Sequence, residues 1–385
     1  MKQKIISYLD SIKDEIYSLS EFLYSHPEQS FKEYNACDYI LSFLKKHDFR
    51  IEKNFCDIPT AFYAEYGSGY PKICYVCNYD SSPLGAHTSG HNLITAMSYA
   101  GAVSLSKVID QVSGTVILLG CPGESLSGSI VTMAKQGVFK NIDVVLMAHP
   151  DVKNYQSGNS MAIVPLKFTF SDTKVPDYNN IQRWSPLNGV LHTLNSFNLM
   201  TTNLSIDAFN IDRVNISSTL DPYSSPYSIS CQLYIRSKKM KTCIEVEKVL
   251  RETFENTRSI MNLEGNICLH ELPYDELLTN SNLSRLFSHN LKESGIINIE
   301  EPKNNISGLG IGIVSHMVAC IQPYISIIED PTIKYSTLDF ARATVSKFAK
   351  HQVMKASQSL AITGLDLIQN DLLLTEAKKE LYQNI

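Results

Sequence analysis

Strand-like and helix-like segments alternate between residues 70 and 150, and this alternation restricts the fold more than any other feature of the sequence. Three short apolar runs are separated by longer segments of helical character: strands at 73–77, 115–119 and 144–147, helices at 92–108 and 130–136. Strands that alternate with helices in this way form a mostly parallel sheet flanked by helices. We therefore predict an α/β fold for this part of the chain.

Side chains that can take part in catalysis follow each of the three apolar runs. His87 and His91 follow the first run, Glu124 follows the second and His149 follows the third. Ligands of open α/β sheets bind outside the carboxyl ends of the strands. We therefore expect these four side chains to line one cleft.

The connection after the first run, residues 79–91, carries His87 and His91 four residues apart. Two imidazoles at this spacing can share one face of a helix, which suits metal binding. The alternative is a pair of histidines that caps the helix or faces solvent.

The sequence changes character after residue 160, where Asn, Ser and Thr become frequent. Strands and helices continue there in a different order: strands at 162–170 and 227–235, helices at 187–200 and 243–261. We predict two domains from this change. One is discontinuous and consists of residues 1–160 and 285–385, and the other is a smaller α+β domain of residues 161–284.

Apolar residues three and four positions apart predict long helices near both ends of the chain. One amphipathic helix is predicted over residues 1–24, before the proline of His26-Pro27. Two more are predicted over residues 336–363 and 372–382.

The composition is typical of a globular protein of the cytoplasm. A formal net charge of −5 at pH 7 gives no electrostatic reason to expect nucleic-acid binding. The sequence contains neither an apolar run of about 18 residues nor an apolar N-terminal signal segment, so we expect no membrane association and a cytoplasmic location. The nine cysteines are scattered and odd in number, which favours reduced thiols.

Six short motifs occur over nearly the whole chain: His26-Pro27-Glu28, Tyr79-Asp80-x-x-Pro83, His87-x-x-Gly90-His91-Asn92, Pro122-x-Glu124, His149-Pro150 and Val314-Ser315-His316. In this order and spacing they resemble the M20 family of metallopeptidases and amidohydrolases, in its aminoacylase and p-aminobenzoyl-glutamate hydrolase branch. The resemblance implies a catalytic-type domain with two metal ions. It also implies that residues 161–284 form an inserted lid domain through which two copies dimerise.

Several positions depart from the pattern of the family. The resemblance implies a metal-bridging cysteine where this chain has Ser89, a carboxylate ligand where it has Ser125, and a histidine ligand where it has Tyr335. His91 and His149 remain at family metal-ligand positions. A lid histidine is expected near residues 173–176, where the sequence has none.

Other family positions keep a side chain of the expected type. Glu124 occupies the position of the family's general base. Arg236 follows an apolar strand in the predicted lid, where the family often has an arginine near the substrate carboxylate. We take Arg236, His87 and Asp80 as candidate substrate-binding residues.

The departures argue against a binuclear metal centre. Two dications ~3.5 Å apart repel each other by about 20 kcal/mol at an effective dielectric of ~20, and anionic ligands must offset this repulsion. The chain lacks the bridging thiolate and one carboxylate of the family. We expect either no metal or a single zinc or manganese ion held by His91, His149 and one carboxylate from Glu124, Asp80 or Asp151.

These features predict an M20-type amidohydrolase or dipeptidase scaffold that has lost efficient catalysis and acts as a binding or partner protein. We expect a homodimer, with a peptide-like or N-acyl amino acid ligand. One alternative is an active one-metal hydrolase of the amide bond in N-acyl amino acids or dipeptides, in which Glu124 activates water. Another is a structural dimer subunit of an active paralogue.

Overall fold

The computed structural model describes residues 1–125, 128–172, 184–202, 207–218 and 227–384. The chain divides into two compact units. The first unit consists of Met1–Asn159, Leu277–Asn305 and Gly310–Ile385, and the second consists of Ser160–Glu276 and Ile306–Leu309. The sequence-based division after residues 160 and 284 has the same discontinuous order.

Helices and strands alternate through most of the described chain. The α-helices of the described ranges are α1 (Lys2–Ser11), α2 (Lys13–Ser25), α3 (Tyr34–Lys46), α4 (His91–Ile109), α5 (Ser129–Lys135), α6 (Pro186–Thr202), α7 (Met240–Met261), α8 (Ser281–Glu293), α9 (Ile311–Ser315), α10 (Leu338–Ala343), α11 (Lys347–Gln369) and α12 (Asp371–Asn384). The β-strands are β1 (Arg50–Lys53), β2 (Phe62–Ser68), β3 (Lys72–Cys77), β4 (Gly114–Gly120), β5 (Val144–Leu146), β6 (His149–Asp151), β7 (Ala162–Asp172), β8 (Phe209–Ser218), β9 (Tyr227–Ser237), β10 (Glu264–Leu269), β11 (Ala319–Ile321) and β12 (Tyr324–Ser326).

The main sheet of the first unit has the described strands in the order β1-β2-β4-β3-β5-β11. Strand β3 pairs in parallel with β4 on one side and with β5 on the other, and β11 pairs in parallel with β5. Strands β1 and β2 extend the sheet in antiparallel fashion beyond β4. The predicted α/β fold with a mostly parallel sheet is confirmed.

Burial explains why the central segments are so apolar. Every residue of β4 is buried, as is every residue of β3 except Lys72. Helix α4 is buried at every position except Lys107, because it packs against β3 and also contacts α1, α2 and α11. A helix enclosed in this way has no polar face, so its sequence is apolar all round.

The N-terminal helix predicted over residues 1–24 is in fact two helices. Helix α1 ends at Ser11, and Ile12 has a ψ of 11° that departs from helical geometry. The Ser11 hydroxyl donates a hydrogen bond to the Tyr8 carbonyl at 2.6 Å. Serine hydroxyls that bond to the backbone in this way weaken a helix locally.

The helix predicted over residues 336–363 is also interrupted. Helix α10 begins after Thr337, whose hydroxyl accepts a hydrogen bond from the Phe340 amide. Helix α11 begins after Ser346, whose hydroxyl accepts one from the Ala349 amide. Each hydroxyl caps a new helix start, and these capping residues are the sequence signal that the periodicity obscured.

The second unit contains an antiparallel sheet with the described strands in the order β10-β7-β9-β8. Helices α6 and α7 pack against it. Its separate apolar core includes Phe168, Phe170 and Phe254, and Trp184 packs against the same core. Strand β8 lies at one edge of this sheet.

All nine cysteines are free thiols, and Cys56 and Cys268 are the two that are not buried. Within the described ranges, each helix is too short or too polar to span a bilayer.

Candidate functional site

The site begins at the carboxyl ends of three adjacent strands of the first unit. Asp80 follows β3, Glu124 follows β4 and His149 follows β5. Because β3 pairs in parallel with both β4 and β5, these ends lie at the same edge of the sheet. The structure therefore brings together residues that the sequence separates by up to 69 positions.

Asp80 and His91 form a buried pair. Gly90 has a φ of +74°, which lets the chain turn sharply so that α4 begins at His91. The His91 Nδ1 atom lies 2.8 Å from Asp80 Oδ1 and 3.0 Å from the Asp80 carbonyl oxygen. The other Asp80 oxygen accepts hydrogen bonds from the Ser30 hydroxyl at 2.8 Å and the Ser125 amide at 2.7 Å.

These contacts determine the charges of the pair. Burial alone raises the pKa of Asp80, but the His91 imidazolium and the hydrogen bonds from His91, Ser125 and Ser30 lower it to about 2. Burial alone lowers the pKa of His91, but the Asp80 carboxylate raises it above its ordinary value. Both pKa shifts favour the charged forms of the pair, and the Nδ1 side of His91 is already engaged.

Glu124 lies in a pocket that glycine leaves open. Its Oε1 atom accepts a hydrogen bond from the Gly310 amide at 3.0 Å, and a Cβ at Gly310 would lie 2.7 Å from both carboxylate oxygens. Its buried Oε2 atom has no hydrogen-bond partner among the described residues. Burial, with a contribution from Asp80, raises the pKa of Glu124 to about 7. A carboxyl group with this pKa can exchange a proton near neutral pH.

His87 is placed differently from the prediction. The expectation that His87 and His91 share a helix face is wrong, because α4 begins only at His91. His87 lies in the preceding loop, where its Nε2 atom is 2.9 Å from the Leu23 carbonyl oxygen. Burial, aided by the charge of His91, lowers the pKa of His87 to about 4. It is therefore a neutral imidazole that ties the loop to α2.

His149 is the first residue of β6, which pairs in parallel with β12. Its Nδ1 atom lies 2.8 Å from the Pro150 carbonyl oxygen and donates to it. Burial, together with the charge of His91, lowers the pKa of His149 to about 4. The imidazole is therefore neutral, and Nε2 is its accepting nitrogen.

Two of the replaced family positions lie close to each other. Burial raises the pKa of Tyr335, and the neighbouring Ser89 hydroxyl opposes this shift. The Tyr335 ring centroid lies 6.0 Å from that of His149, and the Tyr324 ring lies 5.6 Å from it. The third replaced position, Ser125, uses its backbone amide to hold Asp80.

Lys303 belongs to the site although no motif or spacing in the sequence points to it. Its ammonium forms an ion pair with Asp151, whose side chain is 1% exposed. The same ammonium lies 4.7 Å from the ring centroid of Tyr324 and 5.6 Å from those of Tyr155 and Tyr335. Lys303 is 152 residues from Asp151 in the chain, and no spacing rule connects them.

Glu33 is a second residue of the site that none of the sequence motifs indicates. Its buried carboxylate accepts hydrogen bonds from the amides of Phe31 at 2.9 Å and Gly123 at 2.8 Å, and from the Thr60 hydroxyl at 2.9 Å. Burial, with a contribution from the charge of Asp80, raises the pKa of Glu33 to about 7. Because Gly123 directly precedes Glu124, Glu33 fixes the loop that carries the candidate general base. An acidic residue just before α3 was the available signal.

Arg236 lies in β9 of the second unit. Its Nε atom donates to both carboxylate oxygens of Asp212, at 3.0 and 2.9 Å, and Nη1 lies 3.4 Å from the Ile306 carbonyl oxygen. Its proposed contact with a substrate carboxylate stays a prediction. The lid position at residues 173–176 lies outside the described residues.

Ser315 and His316, from the last of the six motifs, lie at the end of a helix. Ser315 is the last residue of α9 and His316 follows it. The Ser315 hydroxyl accepts a hydrogen bond from the Leu278 amide and donates one to the Gly312 carbonyl oxygen, which is a structural arrangement.

No family model matches the sequence, but it is similar to proteins named as a dipeptidase and as a p-aminobenzoyl-glutamate hydrolase. Over 406 aligned residues it is 26% identical to Xaa-Arg dipeptidase of Mus musculus, covering 99% of this chain and 92% of that protein. A shorter alignment of 152 residues, at 31% identity, matches one of the p-aminobenzoyl-glutamate hydrolase proteins of Escherichia coli K12 and covers 34% of this chain and 32% of the relative.

Solved structures show the same architecture. A dinuclear metal-binding M20 peptidase of Bacillus subtilis superimposes with a TM-score of 0.64 at 13% identity, covering 92% of this chain and 99% of that one. The chain has the fold of the M20 peptidases. An aminobenzoyl-glutamate utilization protein of Klebsiella pneumoniae shares the M20 fold with a TM-score of 0.72 at 10% identity, covering 94% and 97% of the two chains. The chain therefore has an M20 amidohydrolase or dipeptidase scaffold.

The M20 family implies a metal centre, and the donors of this chain can be compared with what such a centre needs. Among the described residues, no three His, Cys, Asp or Glu side chains come together as a metal site. A catalytic zinc site uses three protein ligands. His91 and His149 each engage Nδ1 with a protein oxygen and leave Nε2, which is how metal-bound histidines are usually held. The described side chains group no third ligand with these two, so the donor set does not complete a catalytic zinc site.

Proposed function

We propose that this M20 scaffold binds a peptide-like or N-acyl amino acid ligand without a binuclear metal centre. The side chains of Ser89 and Tyr335 are the observation that carries the proposal. Both residues stand where the family resemblance implies metal ligands. Their neutral hydroxyl groups replace a thiolate and an imidazole, which leaves these positions poorly suited to hold a cation.

The charges near these residues support the same conclusion. The Lys303 ammonium lies beside Tyr335 and repels a divalent ion, whereas a binuclear centre needs an excess of anionic ligands. Asp151 is already neutralised by Lys303, and the Asp80 carboxylate is already engaged by His91.

The identity of the ligand is proposed from the names of the relatives. An Xaa-Arg dipeptidase acts on dipeptides that end in arginine, and a p-aminobenzoyl-glutamate hydrolase acts on an N-acylated amino acid. Dipeptides and N-acyl amino acids share an amide bond next to a free carboxylate. We propose this shared group as what the cleft recognises.

A second candidate function is hydrolysis of the same amide bond with a single metal ion. The unpartnered Oε2 atom of Glu124 and its pKa of about 7 favour this candidate, since a general base needs a free oxygen near neutral pH. The lack of a three-ligand cluster among the described side chains speaks against it.

Metal content and hydrolysis, measured on one preparation, separate these functions. The protein is purified without added metal, analysed for zinc and manganese, and assayed against dipeptides and N-acyl amino acids. We expect far less than one metal ion per chain and no turnover. Near-stoichiometric metal that is lost in His91→Ala but kept in His289→Ala, a variant of an exposed helical histidine, contradicts the proposal and supports the one-metal hydrolase.

Self-association is proposed to occur through the second unit. Strand β8 lies at a sheet edge and exposes the apolar side chains of Val214 and Ile216. Edge strands with exposed apolar residues pair readily with another chain. We expect a homodimer in light scattering and a monomer for Val214→Lys/Ile216→Lys. A dimer that binds none of the ligands fits the alternative of a structural subunit.

The cytoplasmic location is likewise a proposal. The nine free cysteines support it, because reduced thiols persist in a reducing compartment.

A further inference from the structure

Lys303 is held next to His149 by a buried acidic residue and three aromatic rings. Asp151, which lies two residues after His149, accepts a hydrogen bond from the Lys303 ammonium. The rings of Tyr155, Tyr324 and Tyr335 surround the same ammonium at 4.7 to 5.6 Å. Aromatic faces attract a cation at such distances, so the position of the charge is well defined.

The ammonium keeps capacity for another partner. Asp151 is 1% exposed, but the side chain of Lys303 is 29% exposed. An ammonium group has three N–H donors, and the described structure gives it one acceptor, Asp151. The tyrosine rings contribute their faces and no acceptor for the remaining N–H groups. A ligand that reaches this group from the exposed side therefore meets an unsatisfied, charged donor.

The neighbouring groups are suited to an anion. Among the described residues, Asp151 is the acidic side chain that pairs with the Lys303 ammonium, and it is buried on the side away from solvent. The Tyr335 ring contacts the ring of His149 and the ammonium of Lys303. The positive charge therefore lies beside the residue that the family resemblance assigns to a metal.

We propose that the Lys303 ammonium is the fixed cation of this cleft and binds the carboxylate of the ligand. The proposal rests on the proposed function, because it names the group that recognises the carboxylate of a dipeptide or N-acyl amino acid. The carboxylate accepts a charge-assisted hydrogen bond from Lys303 Nζ while Asp151 holds the lysine in position. Lys303 is thus a specificity-determining residue that favours acids over the corresponding amides.

Paired probes test this preference directly. N-acetyl-L-leucine is compared with N-acetyl-L-leucinamide, and L-leucyl-L-arginine with L-leucyl-L-argininamide, by calorimetric titration of the full-length protein. We expect the wild type to bind at least one acid about tenfold more tightly than its amide, since hydrogen bonds to charged groups are the stronger class. Lys303→Met should weaken binding of the acid about tenfold and so remove this preference.

Three further variants control for unfolding of the site and for the loss of any lysine charge. Lys303→Met leaves Asp151 buried without its cation and could unfold the site, so Asp151→Asn/Lys303→Met is measured beside it as a neutral pair. Lys153→Met is the matched control, because Lys153 is an exposed lysine that pairs with exposed Glu300. The control should keep the full acid preference, and Lys303→Arg should keep most of it.

The proposal is overturned if the wild type binds no acid probe, or if the folded double variant still prefers acids about tenfold. Metal analysis of the same samples distinguishes this failure from that of the proposed function. Stoichiometric metal in the wild type refutes the proposed function. A preference for acids that depends on Lys303 supports the present proposal whatever the metal content.

Discussion

The two histidines of the site stand beside aspartates that are neutralised in different ways. Asp80 is fully buried, and three separate segments hold it through His91, Ser30 and the Ser125 amide. Asp151 is equally buried but pairs with one flexible lysine, which is partly exposed. The Asp80 carboxylate therefore belongs to a rigid hydrogen-bond network. The Asp151 carboxylate depends on the single side chain of Lys303, which also reaches solvent.

This difference indicates which side of the site is structural and which is free to meet a ligand. A carboxylate that accepts hydrogen bonds from several backbone and side-chain donors has few ways to rearrange. The Lys303 ammonium has three N–H donors and is partly exposed, so it can bind a ligand while it keeps its partner. Stability should therefore depend most on the Asp80 side, and ligand preference on the Lys303 side.

Asp80→Ala should produce the largest loss of stability. The substitution removes the acceptor of three donors and leaves His91 without its counter-ion, which we expect to lower the free energy of unfolding by about 4 kcal/mol. Urea unfolding measures the loss. Asp339→Ala is the control, because Asp339 forms an exposed ion pair with Arg342 and should matter by less than about 0.5 kcal/mol.

Lys303→Met should cost less, about 3 kcal/mol, because the remaining Asp151 carboxylate can draw in water through the partly exposed lysine position. Asp151→Asn/Lys303→Met should recover at least half of this loss, since no unpaired charge remains. Urea unfolding of both variants checks the difference. If the single variant is as costly as Asp80→Ala, the two sides are equally rigid and the comparison fails.

Glu33→Gln should change how stability depends on pH. The folded pKa of Glu33 is raised to about 7 from an ordinary value of 4.5, so its contribution is fully present below pH 4.5 and is lost as pH rises toward 7. Glutamine does not ionise, so the variant does not lose stability in this way as pH rises. We expect the variant to gain about 2 kcal/mol relative to wild type between about pH 5 and about pH 7.5.

Urea unfolding of both proteins at several pH values measures this gain, and subtraction cancels the titration of all other groups. The amide of glutamine can replace the carboxylate because the Thr60 hydroxyl can accept as well as donate a hydrogen bond. A constant difference across this pH range would show that Glu33 is charged in the folded protein, and the loop before Glu124 would then be held by an anion.

Tyr335→Phe should have the smallest effect, a loss of about 1 kcal/mol, because it removes one hydroxyl group next to Ser89 and keeps the ring beside His149. Tyr382→Phe, at a side chain that is 78% exposed, is the control and should be silent. A loss well above this value in thermal or urea unfolding would place Tyr335 in the rigid network, together with Asp80.

The strands and their polar ends were predictable, because burial on both faces imposes apolar runs and the chain order places Asp80, Glu124 and His149 after them. The placement of His87 in a loop was not predictable from its spacing to His91. Spacing alone does not reveal that the left-handed Gly90 makes α4 begin only at His91. Contacts between distant loops, such as that of Lys303 with Asp151, leave no local signal.

The breaks within the predicted long helices were only partly predictable from the sequence. The caps at Thr337 and Ser346 are visible in the sequence, but the apolar periodicity continues through them and favours one helix. At both positions the hydrogen bond between the side-chain hydroxyl and a backbone amide determines where the helix begins. Attention to possible caps inside a periodic segment would have found these helix starts.

A cleft with a covalently attached positive charge does not depend on the supply of trace elements. Chelators such as EDTA inactivate zinc peptidases by removing their ion, but they cannot remove an amino group from a side chain. We expect ligand binding by this protein to persist through dialysis against a chelator and in metal-starved cells.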